Sequence, residues 1–237
     1  GMIPQIRMKE RKYSEVESLA HTRDRLVKLR TALKNKIHNI LCGYGIVTKK
    51  ETYSSKKNLK LVLEEPVSEL AKIELKVIVQ QIENLDKGIK ELNEKLSEKG
   101  KELEGYENLI SIKGIGEKSS AILLSCIGNI KDFESRKKLD AYFGMVPRIS
   151  QSNEHTFYGK ITKQGNKLAR TTLVQCTLIA IKYSDYLKKF YLKLKSKKGS
   201  GKAIIATARK LLGIIYNTLV NNWIFEDFTQ FIKKPAY

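Results

Sequence analysis

Two long segments in the first half of the chain repeat apolar residues at helical spacing. Between positions 16 and 41, leucine and isoleucine recur every three or four residues, with arginine and lysine between them. The second segment alternates three- and four-residue steps, with apolar positions at Leu75, Ile78, Ile82, Leu85, Ile89, Leu92, Leu96 and Leu103. Charged residues fill the intervening positions, as in coiled-coil heptads. We predict a helical coiled-coil arm over 2–105, formed either as an antiparallel hairpin or by pairing between two chains.

The pattern changes at Gly105, after which the apolar runs are shorter and glycines separate them. Helices are predicted over 108–112, 119–127, 136–143, 163–183 and 203–223. A loop is predicted through 145–161, and the lysine-rich stretch 188–202 is interpreted as a mobile loop. No convincing strand alternation is visible. The predicted fold class is all-α, with the long arm followed by a compact helical domain over 106–237.

The charge of the chain favours a polyanionic partner. The 237 residues include 45 Lys and Arg against 25 Asp and Glu, a net charge of +20. Between 148 and 210, 15 basic side chains face only Glu154 and Asp185. Such a single-sign field repels itself unless a polyanion neutralises it, so nucleic acid is the first hypothesis for the partner.

Other composition signals exclude several classes of protein. No run of about 18 uncharged apolar residues occurs, so a membrane span is not expected. The three cysteines and three histidines lie far apart, without the spacing of a zinc site or a disulfide framework. The prediction is a cytoplasmic protein without a membrane partner.

The segment 109–124, LISIKGIGEKSSAILL, resembles a helix-hairpin-helix DNA-binding module. Gly114 and Gly116 would allow backbone N–H groups to approach a phosphate, and Lys113 and Lys118 add positive charge beside them. Contacts of this type do not depend on base sequence. The alternative is a plain glycine turn between two packed helices.

A second, denser block comprises GMVPRISQS at 144–152 and GKITKQGNKLAR at 159–170. Thr162 or Asn166 is predicted to cap the helix that follows, which would surround a helix start with basic residues. A serine in such a block can hydrogen-bond a phosphate passively, or it can attack the phosphate as a nucleophile. The chemistry of the block alone favours passive contact, because no general base is evident.

The order of these motifs resembles a known family. A helix-hairpin-helix, then G-h-V-P, a serine and G-x-I-T-K-x-G-N-x-x-h-R is similar to the C-terminal domain of DEDD/serine transposases. These are insertion-sequence enzymes of the Transposase_20 type, related to Piv-like invertases. The resemblance runs from Leu109 to Trp223, and the stretch from Arg23 to Asn35 resembles the segment that follows the RuvC-like domain of that family.

The resemblance implies a role for one serine. The serine of the family lies five residues after the proline and seven before the glycine of G-x-I-T-K. Ser152 has both spacings, from Pro147 and to Gly159, whereas Ser150 does not. In such enzymes the serine is thought to form a covalent link to a DNA 5′ end. The candidate phosphate-binding residues of this block are Arg148, Lys160, Thr162, Lys163, Asn166, Lys167 and Arg170.

The resemblance also implies a domain that this chain does not supply. The four metal-binding acidic residues of the family belong to a strand-rich domain, and the acids here fall on helical or loop patterns without a comparable cluster. A Mg²⁺ site needs converging carboxylates. We therefore expect a truncated transposase with no cofactor in this chain, Mg²⁺ in the absent domain, and little or no activity alone.

The expected partners are DNA, the guide RNA of the element and a second copy of the chain bound through the coiled-coil arm. Two alternatives remain open at this point. One is a non-catalytic helix-hairpin-helix DNA-binding protein that dimerises through its coiled coil. The other is a structural coiled-coil adaptor whose basic half binds an acidic protein.

Overall fold

The computed structural model describes residues 8–47, 49, 52, 55–152 and 155–226. The chain divides into two compact units, one containing residues 1–18 and 96–237 and the other residues 19–95. The helices of the described residues are α1 (Arg11–Gly43), α2 (Lys56–Leu61), α3 (Glu69–Gly100), α4 (Tyr106–Ile110), α5 (Glu117–Ile127), α6 (Arg136–Tyr142), α7 (Lys167–Tyr183), α8 (Asp185–Lys198) and α9 (Ser200–Val220). Single 3-10 turns occur at Val62–Glu64 and Ile130–Asp132. The predicted all-α class is confirmed.

Within the unit 19–95, the heptad seam packs inside one chain. Leu75 and Ile82 of α3 are fully buried in a cluster with Ile37 and Leu41 of α1. Polar contacts run beside this seam from α1 to α3: Arg30 Nη1 lies 2.6 Å from Asp86 Oδ1, and Arg23 Nε donates to Asn93 Oδ1 at 3.1 Å. Residues later in α1 thus meet residues earlier in α3, as in the predicted antiparallel hairpin.

Helix α9 is the central helix of the unit that contains residues 96–237. Its buried residues include Ala203, Ala208, Leu211, Leu212 and Ile215, and α4, α6, α7 and α8 pack against it. Among the described residues, α9 is the one helix long and apolar enough to cross a membrane by length and composition, and half of its apolar window is buried inside the fold. Its apolar character therefore has an explanation in core packing.

The interpretation of 188–202 as a mobile loop was wrong. Residues 185–198 form helix α8, and α9 already begins at Ser200. The Ser184 side chain caps α8 by accepting a hydrogen bond from the Leu187 N–H at 3.3 Å. The break between the two helices falls at Gly199, whose φ of 78° suits glycine. Lysine is a good helix former, so a run of lysines did not require a loop.

The predicted loop 145–161 contains a two-stranded antiparallel hairpin. Strand β1 (Pro147–Ser152) pairs with β2 (His155–Ile161), with a register irregularity between Pro147 and Ile149. Ile149 and Phe157 are exposed by 61% and 66%, so these apolar residues do not mark a buried face. An irregular strand without a buried face lacks the clean alternation by which a sequence reveals a strand.

Candidate nucleic-acid interface

The two halves of the serine block are joined by main-chain hydrogen bonds below the hairpin. Thr162 N donates to Val146 O at 2.9 Å, Lys163 N donates to Gly144 O at 3.1 Å, and Asn166 N donates to Tyr142 O at 3.2 Å. These bonds extend the pairing of β1 and β2 towards the start of α7. The structure therefore brings the 144–152 and 159–170 motifs together, as one continuous element that we call the serine hairpin (residues 144–166).

Two glycines make the close approach at its base possible. Gly144 has φ 65° and Gly165 has φ 130°, a region that other residues rarely adopt. A Cβ at Gly144 would collide with Gln164 O, and one at Gly165 would collide with Tyr142 O. Both glycines are thus required by the geometry of the backbone, whatever the serine hairpin binds.

Two of the predicted contact residues already have partners inside the chain. Asn166 caps α7, since its side-chain oxygen accepts from Ala169 N at 3.0 Å, and its amide group donates to Glu17 Oε1 at 2.7 Å. This settles the choice of cap in favour of Asn166 over Thr162. The half-buried Arg170 donates from Nη1 to Phe143 O at 2.9 Å. The two side chains fix the start of α7 against its neighbours.

The remaining cations of the serine hairpin and of the first turn of α7 face solvent. Arg148, Lys160, Lys163 and Lys167 are exposed, while Thr162 is half-buried. Within the described part of the chain, none of these four cations forms an ion pair with a carboxylate. Lys163 has a positive φ of 56°, held by the bond from its N–H to Gly144 O. The arrangement presents four cations that a phosphate backbone could neutralise.

Ser152 is the last residue of β1, where its Cα lies opposite that of His155. Its side chain, and that of Ser150, lie outside the described part of the structure. The backbone nevertheless places Ser152 at the end of the serine hairpin farthest from α7. The role predicted for its hydroxyl stays a prediction.

The helix-hairpin-helix motif forms α4, a turn through 111–116 and α5. Gly114 has φ 106°, and a Cβ there would approach the backbone of Ala180 in α7 to 2.7 Å, so this glycine serves helix packing. Gly116 precedes the first turn of α5 with open space around it and no capping side chain. The first N–H groups of α5 are therefore available to an anion. Lys113 is exposed and Lys118 half-buried beside them.

The two candidate surfaces lie near opposite ends of α7. The serine hairpin leads into α7 at Lys167, and the Gly114 turn packs at Ala180. At 1.5 Å per residue, these points are about 20 Å apart along the helix axis. The structure thus separates the two motifs into two surfaces of the same unit.

The described residues contain no group of three His, Cys, Asp or Glu side chains that could hold a metal ion. Two of the acidic residues instead pair with cations: Asp86 with Arg30, and the buried Asp140 with Arg209 at 3.2 Å. These residues do not fit a Mg²⁺ centre.

One polar cluster was missed by sequence reasoning. Lys9 Nζ lies 2.6 Å from Glu17 Oε2 and donates to Ser125 O at 3.1 Å, while Glu17 accepts from Asn166. Both Lys9 and Glu17 are largely buried, with side-chain exposures of 13% and 18%. Lys9 and Ser125 are 116 residues apart and Glu17 and Asn166 are 149 residues apart, and no periodicity or motif links them.

Comparison with known proteins identifies the class of this chain. Residues 106–192 match the profile of the family described as Transposase IS116/IS110/IS902. The chain is 31% identical over 212 residues to the transposase for insertion sequence element IS1111A of Coxiella burnetii, covering 86% of this chain and 58% of that protein. It is 29% identical over 175 residues to the transposase for insertion sequence element IS1328 of Yersinia enterocolitica, covering 72% of this chain and 51% of that protein.

A third relative is named for the inversion of a gene. The pilin gene-inverting protein of Moraxella bovis is 34% identical over 122 residues, covering 50% of this chain and 38% of that protein. The relatives named here are thus two insertion-sequence transposases and one gene-inverting protein. The match of residues 106–192 to the IS116/IS110/IS902 transposase family confirms the resemblance found in the sequence. The chain spans little more than half the length of the transposases it matches.

Proposed function

We propose that this chain is the DNA-binding C-terminal portion of an insertion-sequence transposase, in which Ser152 attacks a DNA phosphodiester during strand transfer. The observation that best supports the proposal is the serine hairpin. Four solvent-facing cations lie along the hairpin and the first turn of α7, and the first strand of the hairpin ends at the serine expected from the family, in a chain whose relatives are transposases. The complete enzyme would carry the activity.

The proposed step exchanges one phosphate ester for another. The Ser152 oxygen would attack the phosphorus, and the bond from phosphorus to the 3′ oxygen would break. The serine proton is lost to a base, the departing strand end gains a proton as a 3′ hydroxyl, and the 5′ phosphate remains on serine. Lys160 and Lys163 lie on the part of the hairpin nearer α7, away from Ser152, so their proposed task is to bind DNA phosphates that flank the reacting one. A later attack by a 3′ hydroxyl releases the serine and rejoins the DNA.

Mg²⁺ belongs to the same proposal. The complete enzyme is expected to hold it in a domain outside this chain, where it would supply electrostatic activation of the reacting groups. Binding and orientation of the phosphodiester are the tasks proposed for the described residues. The isolated chain is therefore expected to bind DNA and to catalyse little or nothing.

Salt titration tests the binding part of the proposal. If about six phosphates are contacted, the logarithm of the association constant should fall with the logarithm of salt concentration at a slope of roughly −5. Fluorescence anisotropy with a random-sequence duplex measures this slope. A flat response would contradict nucleic-acid binding and would favour a structural adaptor that binds an acidic protein.

Adduct trapping in the complete transposase tests the chemistry. With a DNA substrate and denaturing electrophoresis, Ser152→Ala should abolish the covalent protein–DNA adduct and leave non-covalent binding nearly unchanged. Ser150→Ala is the matched control, because it removes a neighbouring hydroxyl from the same strand. An adduct that persists in Ser152→Ala would refute the assignment.

A non-catalytic helix-hairpin-helix DNA-binding protein is the second candidate. The open start of α5 at Gly116 supports it, since backbone N–H groups can bind phosphate without any reaction. The same adduct experiment separates the two candidates. A non-catalytic protein would bind DNA but form no covalent adduct, with or without the Ser152→Ala substitution. The proposal also includes binding of the guide RNA of the element, a homo-oligomer formed through the arm, and a cytoplasmic location.

A further inference from the structure

Helix α8 carries a high density of positive charge. Its 14 residues include six lysines and a single acid, Asp185. All six lysines are exposed, and within the described residues none forms an ion pair. A helix with this charge repels itself, and a bound anion would remove that cost.

Contacts with α9 hold α8 in place through its opposite side. Leu187 is 3% exposed, and the Lys210 ammonium of α9 lies 4.1 Å from the ring centroids of both Tyr186 and Phe190. A cation over two aromatic faces is a stabilising contact. The helix is thus fixed by its apolar side, which leaves its lysines on the outside.

Three of the lysines form a row. Lys189, Lys193 and Lys197 are spaced four residues apart, so they lie on one face of the helix. Eight residues span about 12 Å along the axis. A DNA strand carries one phosphate per about 3.4 Å of duplex, so a row of this length reaches several phosphates. We call Lys189, Lys193 and Lys197 the α8 lysine row.

We propose that the α8 lysine row is a further binding surface for the phosphate backbone of duplex DNA. The inference rests on the proposed function and extends it to an element that no motif marks. Helix α8 starts two residues after α7 ends, on the end of α7 where the Gly114 turn packs. The start of α8 therefore lies at the end of α7 that also carries the helix-hairpin-helix turn.

The distribution of apolar residues argues for DNA over a membrane surface. An interfacial membrane helix buries a continuous apolar face in lipid. In α8, Leu187 is buried in the protein. Among the described aliphatic residues of this helix, Leu192 is the most exposed, at 50%. The exposed side offers lysine charge and little apolar area, which is suited to a hydrated polyanion.

The test compares two triple variants with equal loss of charge. Lys189→Gln/Lys193→Gln/Lys197→Gln removes the row, and Lys72→Gln/Lys76→Gln/Lys87→Gln removes three exposed lysines of α3 as the matched control. With a random-sequence duplex, the salt slope should become shallower by about 2.7 in the row variant, at about 0.9 per phosphate contact, and should change little in the control. Replacing the row with arginine should restore the slope.

Equal slopes in the row variant and the control would overturn the inference. Circular dichroism checks that α8 remains helical in the row variant, and the arginine variant keeps the test valid if glutamine weakens the helix. Loss of binding to phosphatidylserine vesicles, with the DNA slope unchanged, would also overturn it. If the unaltered chain shows no salt-dependent DNA binding, the proposed function itself is refuted. If the salt slope of DNA binding stays equally steep in every variant, only the proposed α8 surface is refuted.

Discussion

Replacing Asn166 with alanine should destabilise the unit that contains the serine hairpin. The side chain makes two contacts, a cap on Ala169 N at 3.0 Å and a bond to the Glu17 carboxylate at 2.7 Å. Loss of an N-cap costs about 1 kcal/mol. Loss of a hydrogen bond to a partly buried charged group costs about 1.5–3 kcal/mol. We expect Asn166→Ala to lower the free energy of unfolding by about 3 kcal/mol.

Substitutions at the same position separate the two contacts. Asn166→Ser keeps a capping oxygen but cannot reach Glu17, so it should lose about 2 kcal/mol. Asn166→Asp also keeps the cap but places a second carboxylate beside Glu17, and Glu17→Gln should relieve that repulsion in the double variant. Urea denaturation followed by circular dichroism measures each value.

The control for these variants is Asn221→Ala. Asn221 is exposed, and its side chain donates to Asn217 O at 2.8 Å within its own helix end. It should cost less than about 0.5 kcal/mol, as is usual for surface positions. If Asn166→Ala is as mild as this control, the contacts of Asn166 do not stabilise the fold, and its role would have to be sought in nucleic-acid binding instead.

Two further predictions concern buried titratable groups. Burial raises the pKa of Asp140 above its ordinary value of 3.8, although the nearby Arg209 acts in the opposite direction. The folded protein therefore binds this proton more tightly than the unfolded chain does. The stability that this gives is present below pH 3.8 and is lost as the pH rises through the pKa of Asp140 in the folded protein. Asp140→Asn should remove that pH dependence in urea denaturation, whereas parallel curves for the two proteins would contradict it. Burial raises the pKa of Cys126 to about 12 and also raises the pKa of the Cys176 thiol, while Cys42 is exposed. A maleimide should therefore label Cys42 alone in the native protein, as judged by mass spectrometry, and equally fast labelling of Cys126 would refute the burial.

The helical arm could be predicted from the sequence because its information is local. A three-four apolar repeat identifies the buried side of α3 through Leu75 and Ile82, and both are fully buried. The same repeat suits a partner in the same chain or in another one. The choice between them depended on contacts such as Arg30 with Asp86, 56 residues apart in sequence.

The serine hairpin was harder to predict. Its motifs identified the family, yet the region was expected to be a loop, since the exposed Ile149 and Phe157 do not mark a core-facing strand. The lysines of 188–202 gave a similar error, because charge indicates exposure and does not exclude a helix. Leu187 and the rings that hold Lys210 are what make that segment a packed helix.

The sequence by itself determined the all-α class, the basic character of the second half and the family that residues 106–192 match. These properties depend on residue spacing and composition, which are known without knowing which distant residues are in contact. Only the tertiary structure decided that Asn166 and Arg170 have partners within the chain, and that the Gly114 turn and the serine hairpin lie near opposite ends of α7. The reason is physical: a side chain's role depends on which distant group meets it after folding, and Glu17 lies 149 residues from Asn166.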